Sequence, residues 1–204
     1  MNTNKMIEVL DWAYDKSMNG IPGGKSSEEL AEEYLGKNNN PESAANNLIK
    51  WQIRKCATSG FLTGLGGIIT LPVAIPANIS SVLYVQMRMI AAIAYMGNYD
   101  IRDDSVKSLV YICMTGNSAG DVFKGIGIKL GTKLTQNAIN KISFTTIKKI
   151  NQVVGTRLIT KFGQTGIINL GKAVPFVGGI VGGGMDAAST KIIGNVSKKV
   201  FILN

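Results

Sequence analysis

No histidine occurs in the 204 residues. Its absence removes the commonest general base, the usual proton switch and the commonest metal ligand. Cysteine is scarce as well. Cys56 and Cys113 are the only two, each set in an apolar run, and they read as free buried thiols in a reducing compartment. A disulfide between them is not established by spacing alone. Charged residues make up 17% of the chain, below the usual quarter. A mean hydropathy of +0.15 leaves less material for a solvated surface, so lipid or a partner is expected to cover some apolar area. A secretory leader is not expected either, since Met1 to Asp15 carries acids where a leader needs an apolar core. The expected location is therefore the cytosol or the cytosolic face of a membrane. Nor is there β-alternation of useful length, so the expected fold is all-α.

Acid is what the second half lacks. Residues 1–104 hold 9 basic and 11 acidic side chains, whereas residues 105–204 hold 13 basic and 2 acidic, Asp121 and Asp186. This asymmetry points to an anionic partner, either lipid headgroups or nucleic acid.

Local signals then place the helices. Met6, Leu10, Ala13 and Tyr14 share one face of an amphipathic helix over Asn4 to Ser17. The glycines of 19–24 end it. Ser26 and Glu29 have capping-box spacing for an acidic helix to about Leu35. Asn40-Pro41 starts the next helix, whose inward stripe is Ala45, Leu48, Ile49, Gln52, Ile53 and Cys56. From Cys56 to Met87, 32 residues pass without a carboxylate, ammonium or guanidinium group. Pro72 and Pro76 preclude one straight helix through that run. A helix entering at Pro76 should run through Tyr84, Arg88 and Ile93 to end at Gly97. Asp103 or Asp104 caps the next helix, with Val106, Leu109, Val110 and Cys113 inward. Lys129, Lys133, Asn137 and Lys141 fall in one helical row beside Leu130, Leu134, Ala138 and Ile142. Ile147, Ile150, Val154 and Leu158 mark a further helix. Pro175 to Asp186 is a glycine-rich lead-in to a last helix over Ala187 to Phe201. The expectation is a compact bundle of about seven to nine helices with two Gly/Pro-rich apolar segments. A single domain should span 1–204, with 1–40 as a helical lead-in and 41–204 as the core.

Gly60-Phe61-Leu62-Thr63-Gly64-Leu65-Gly66-Gly67, Thr70-Leu71-Pro72-Val73-Ala74-Ile75-Pro76, the stretch Tyr84 to Ala94, and Gly97-Asn98-Tyr99-Asp100 together resemble the EcsC family of bacterial proteins. Gly171-Lys172-Ala173-Val174-Pro175-Phe176-Val177-Gly178-Gly179, followed by Asp186 and Thr190, resembles that family's second signature. The resemblance spans roughly Ala44 to Phe201. It implies a membrane-linked protein, possible association with a transporter or another membrane protein, and no established catalytic residues. The residues matching the pattern include Gly64, Gly66, Gly67, Pro72, Pro76, Arg88, Asp100, Pro175, Gly178 and Asp186.

Each chemical candidate has a structural alternative. Gly20 to Ser26 resembles a phosphate loop, but its first glycine is one place too close and a helix precedes it. Nucleotide binding is not expected. Small residues recur four apart at Gly60/Gly64, Gly116/Gly120, Gly127/Gly131, Gly178/Gly182, Gly179/Gly183, Gly183/Ala187 and Gly184/Ala188. Such spacing lets helix backbones approach closely, with Gly66 and Gly67 adding to the first segment. Tight packing in an ordinary core and a membrane-inserting hairpin both fit. Phe61 to Ile79 has the length of a span, though its glycines and prolines weaken it. Pro76 to Tyr95 contains Arg88, which costs roughly 2.5–3.5 kcal/mol at a span's centre.

Arg88 is alone in an apolar helix, and a buried arginine needs an acid. Asp186 is the first choice, with Asp121 and Asp100 as alternatives. Removing either Arg88 or Asp186 is expected to destabilise the fold. Lys124, Lys129, Lys133, Lys141, Lys148, Lys149, Arg157 and Lys161 form either a solvated helix face or a surface for anionic lipid. Nucleic acid is the weaker partner, since only Phe144 interleaves with these lysines. No cofactor, metal or catalytic residue is expected. The leading function is a non-enzymatic protein, peripheral to or inserting a hairpin into a membrane. The alternatives are a soluble enzyme or small-ligand protein with a pocket near Arg88 and Asp186, and a toxin-like membrane-perturbing module.

Overall fold

The computed structural model describes the backbone of residues 2–57, 77–128, 133–170 and 175–203, and the side chains of 2–56, 81–128, 133–161 and 187–203. The described residues form nine α-helices and one short 3-10 turn, with no strand among them. In chain order these are α1 (Thr3–Asn19), α2 (Ser27–Gly36), α3 (Pro41–Ala57), α4 (Ala77–Met96), α5 (Asp104–Met114), the turn Gly116–Ser118, α6 (Ala119–Gly125), α7 (Gln136–Asn140), α8 (Phe144–Leu170) and α9 (Pro175–Phe201).

The helix starts follow their local chemistry. Ser26 Oγ accepts from the Glu29 N–H while the Glu29 carboxylate accepts from the Ser26 N–H, so both halves of the capping box are made. Asn40 caps α3 through the Ser43 N–H at 2.8 Å. Asp103, rather than Asp104, caps α5 by accepting from Ser105 and Val106.

α4 lies at the centre, packed against α1, α2, α3, α5 and α9. Every residue from Ser81 to Ala94 is buried, as expected of a helix apolar on all sides. Met6, Val9 and Leu10 of α1 are fully buried in the same apolar cluster as Ile90, Leu109, Ile150 and Phe201, so the N-terminal helices share this core. Cys56 and Cys113 are buried and form no disulfide, and burial pushes the Cys113 thiol up to about 12.

Pairwise contacts fix the helix directions. Gln86 Nε2 donates to Thr190 Oγ1 at 3.1 Å, and Gly97 abuts Phe201. Both pairs are separated by eleven residues on their own helices, so α4 and α9 run parallel. Ile49 meets Gly194, and Thr190 meets Cys56 Sγ at 3.5 Å, so α3 runs antiparallel to α9. Lys161 of α8 reaches Ser189 of α9 at 3.0 Å. The Cys56 turn at the end of α3, the Gln86 turn of α4, Lys161 of α8 and the middle of α9 therefore lie at one level of the bundle. The last turns of α4 and α9 meet at one end.

Three expectations change. The periodic row from Lys129 to Ile142 is not one helix: the described part is extended until Thr135, whose side chain caps the five-residue α7. The Leu134 N–H is drawn instead to the Val200 carbonyl, a tertiary bond that overrides the local pattern. Gly116/Gly120 and Gly127/Gly131 do not form close-packed helix faces. A Cβ at Gly120 or Gly127 would meet nothing within 4 Å, and Gly116 and Gly127 have left-handed φ of 62° and 79°. The glycine-rich stretch after Pro175 is not a lead-in, because α9 runs unbroken from Pro175 to Phe201.

Candidate functional site

Arg88 sits on the face of α4 turned toward α2. Two residues along a helix is slightly more than half a turn, so Arg88 lies nearly opposite Gln86, the residue that meets α9. Its Nη1 donates to the Lys25 carbonyl at 3.1 Å and to the Tyr84 hydroxyl at 3.4 Å. The guanidinium also lies 5.2 Å from the Tyr84 ring centroid, a favourable cation–π placement. The residue is 7% exposed, and its Nε has no hydrogen-bond partner among the described residues.

The acids are engaged elsewhere. Glu33 holds Lys25 and Lys37, Glu28 holds Arg102, Asp11 holds Lys107, Asp121 holds Arg157 and Glu42 holds Lys198. Asp100 accepts from the Arg102 N–H. Of the three partners expected for Arg88, Asp121 and Asp100 thus have other neighbours. The Asp186 side chain lies outside the described residues, although its helix meets the α4 face opposite Arg88.

Charges of both signs lie near Arg88, since Glu33 as well as Arg88 acts on Lys55 and Tyr34. Cys56 packs against Tyr84 and Val85, which brings its neighbour Lys55 to the same place. Burial, then the Arg88 charge, holds the Lys55 ammonium below the usual lysine range. Burial raises the Tyr84 phenol, and Arg88 opposes that shift. Tyr34 is also raised by burial and lies within the field of Arg88.

The second concentration of charge is at the start of α8. Phe144 is 68% exposed and carries the Lys148 ammonium 4.7 Å from its ring centroid. Lys141 and Lys149 are exposed as well, and Lys124 is exposed on α6. The other expected lysines differ. Lys133 is half-buried over the Tyr99 ring. Arg157 donates to the Ser118 carbonyl and pairs with Asp121. Lys161 bonds Ser189. Lys129 lies outside the described residues.

The expected close-packing glycines Gly60, Gly64, Gly66 and Gly67 lie outside the described residues, and nothing is described around Gly178, Gly179, Gly182 and Gly183 beyond their helical backbone. Other glycines make the close approaches. A Cβ on Gly97 would fall well inside contact of the Phe201 carbonyl oxygen, and one on Gly194 would lie 2.7 Å from Ile49 Cγ1. Gly155 similarly admits Thr3 at 2.9 Å. Gly155 and Gly194 belong to none of the four-residue pairs, so spacing gave no signal for them. Lys55 was also missed as a neighbour of Arg88, because no local pattern links α3 to α4.

The pattern of the EcsC protein family matches residues 13–203. The chain belongs to the EcsC family. No curated protein and no solved structure matches it. Of the EcsC signature residues, Arg88 and Asp100 have described side chains; Pro175, Gly178 and Asp186 are placed by the backbone of α9, and Gly64, Gly66, Gly67, Pro72 and Pro76 lie outside the described residues. Among the described residues no helix is long and apolar enough to cross a membrane, and no group of three or more Cys, Asp or Glu could hold a metal. Two shallow surface depressions, of about 430 and 370 Å³, are lined by residues such as Met96, Lys133 and Leu203 or Asn38, Asn46 and Lys50. Neither is lined by Arg88.

Proposed function

We propose that this EcsC-family protein is a non-enzymatic peripheral membrane protein that docks on the anionic cytosolic leaflet through the first turns of α8. The observation carrying this reading is Phe144, a large apolar side chain 68% exposed with the Lys148 ammonium over its ring and exposed Lys141 and Lys149 close by in the chain. An exposed phenylalanine with lysines near it suits a bilayer surface, where the ring enters the headgroup boundary and the ammonium groups meet lipid phosphates. Each lysine near an anionic surface contributes about 1 kcal/mol. No acid occurs between Asp121 and Asp186 to oppose that attraction. Nucleic acid suits the patch less well, because a single aromatic offers little base stacking.

Co-sedimentation with vesicles tests the proposal. Binding to vesicles containing phosphatidylglycerol should exceed binding to pure phosphatidylcholine at low salt, and added salt should release the protein. Equal binding to both vesicle types rejects it. Leakage of dye from loaded vesicles would instead mark a membrane-perturbing module.

A further inference from the structure

We propose that the outer face of α3 around Trp51 and Arg54 is a second contact for anionic lipid, on a different side of the bundle from α8, so that one molecule can bridge two membrane surfaces. The contact at Trp51 stands on its own residues; the bridging rests on the α8 reading given above. Among the described residues, Trp51 and Phe144 are the two large apolar side chains left exposed, at 50% and 68%. Both carry a cation. The Arg54 guanidinium lies 5.7 Å from the Trp51 ring centroid, as the Lys148 ammonium lies over Phe144. Each pair joins neighbours on one helix face, three or four residues apart. Arg54 is exposed, and so is Lys50, next to Trp51 in the chain. The chemistry that suits α8 to a bilayer surface is thus repeated on α3. Tryptophan fits the headgroup boundary better still, with an apolar body and one N–H that stays wet.

Charge selects an anionic surface. No acid occurs between Glu42 and Asp100, which covers the rest of α3 and all of α4, and α9 has none after Asp186. Glu42 itself, at the start of α3, holds Lys198. Glu28, Glu29, Glu32 and Glu33 belong to α2, which also packs on α3. They hold Arg102, the Ser26 N–H, the Tyr95 hydroxyl and the pair Lys25 and Lys37, in that order. Within one turn of Arg54 the sequence enters the run from Cys56 to Met87 that has no carboxylate, ammonium or guanidinium group. Lysine, arginine and tryptophan next to such a run are the residues that mark a membrane boundary.

The packing separates the two contacts. α3 packs on α2, α4 and α9, whereas α8 packs on α1, α5 and α6. The two helices share none of these neighbours, so their exposed faces look out on different sides of the bundle. Two exposed cations on α3, against three around the start of α8, make α3 the weaker contact. It acts once α8 has brought the protein to a surface, where a second vesicle can be held by the same molecule.

Two readouts with the full chain test this. The first is vesicle clustering at low salt, followed by dynamic light scattering. Wild type should cluster vesicles containing phosphatidylglycerol and leave pure phosphatidylcholine vesicles dispersed. The double variant Trp51→Ala, Arg54→Gln should co-sediment within about twofold of wild type but need roughly tenfold more protein to cluster the vesicles. The second readout is fluorescence. Trp12 and Trp51 are the only tryptophans, so Trp12→Phe isolates Trp51. Its emission should move to shorter wavelength on anionic vesicles and be quenched by brominated lipid. If Trp12→Phe fails to fold, the clustering of the double variant decides alone, since both replaced side chains are exposed. No clustering by wild type, or equal clustering by the double variant, overturns the bridging. A Trp51 emission that vesicles leave unmoved overturns the lipid contact and gives the α3 face to a protein partner. Failure of the α8 reading looks different: replacing Phe144, Lys148 and Lys149 by Ala would leave co-sedimentation intact while Trp51 still shifts.

Discussion

The start and the middle of α8 carry basic residues in opposite roles. Near its start, Lys148 and Lys149 stand exposed around Phe144. Further along the same helix, Arg157 is tied to Ser118 and Asp121, and Lys161 to Ser189. Arg157 is the fourteenth of the 27 residues of α8. Basic residues that look uniform along the chain are thus divided into an exposed group in the first turns and internal ties from the middle onward. A count of lysines therefore overstates the attractive surface, and only their partners reveal which ones are available.

The largest test of this division is at the exposed end. Replacing Phe144, Lys148 and Lys149 together by Ala should weaken binding to anionic vesicles about a hundredfold or more, from about 1 kcal/mol for each lysine and more for the ring. The melting temperature should stay within about a degree of wild type. A parallel fall in stability would show that these side chains are structural after all. Next in size is Gly97→Ala. Its new Cβ would strike the Phe201 carbonyl, a backbone atom that cannot rotate away, and overpacking of this kind costs about 1–3 kcal/mol. Chemical denaturation measures it, and vesicle binding by the folded fraction should be unaffected.

Arg157→Gln should do the reverse of the triple replacement. It should lower stability by about 1 kcal/mol while changing vesicle affinity less than twofold, and a large loss of affinity would merge the start and the middle of α8 into one surface. The smallest effect is expected for Glu33→Gln, which frees Lys25 and Lys37. Surface pairs of this kind contribute about 0–1 kcal/mol. The two lysines hold the Glu33 carboxyl down to about 2. A carboxyl lowered in the folded state stabilises above its ordinary value of 4.5 and loses that contribution as the pH falls toward 2. Melting curves at low salt should show wild type and variant converging over that interval.

What the sequence revealed was mostly local. The capping box at Ser26 and Glu29 and the cap at Asp103 use atoms within three residues, so their geometry is written in their spacing. The buried face of α1 follows from 3.6-residue periodicity. The row from Leu130 to Ile142 had equally good periodicity, yet the Leu134 N–H goes to Val200, 66 positions away. Arg88 was conspicuous as a lone charge in an apolar helix. Its neighbours were not, because the Lys25 carbonyl is 63 residues distant in the chain and a carbonyl carries no mark of residue type. Phe144 was visible as the one aromatic among the lysines, but its exposure depends on what α1 and α5 leave uncovered.

The contact between Gly97 and Phe201 also has a mechanical meaning. It clamps the last turn of α9 against the last turn of α4 with no side chain between them, and Gly194 seats the helix on Ile49 a little further back. Thr190 holds the middle of the same helix to Gln86, and Lys161 holds it through Ser189. With its tip and its middle both held, α9 cannot slide along α4 without breaking the seat between Gly97 and Phe201, so the register of these two helices is locked.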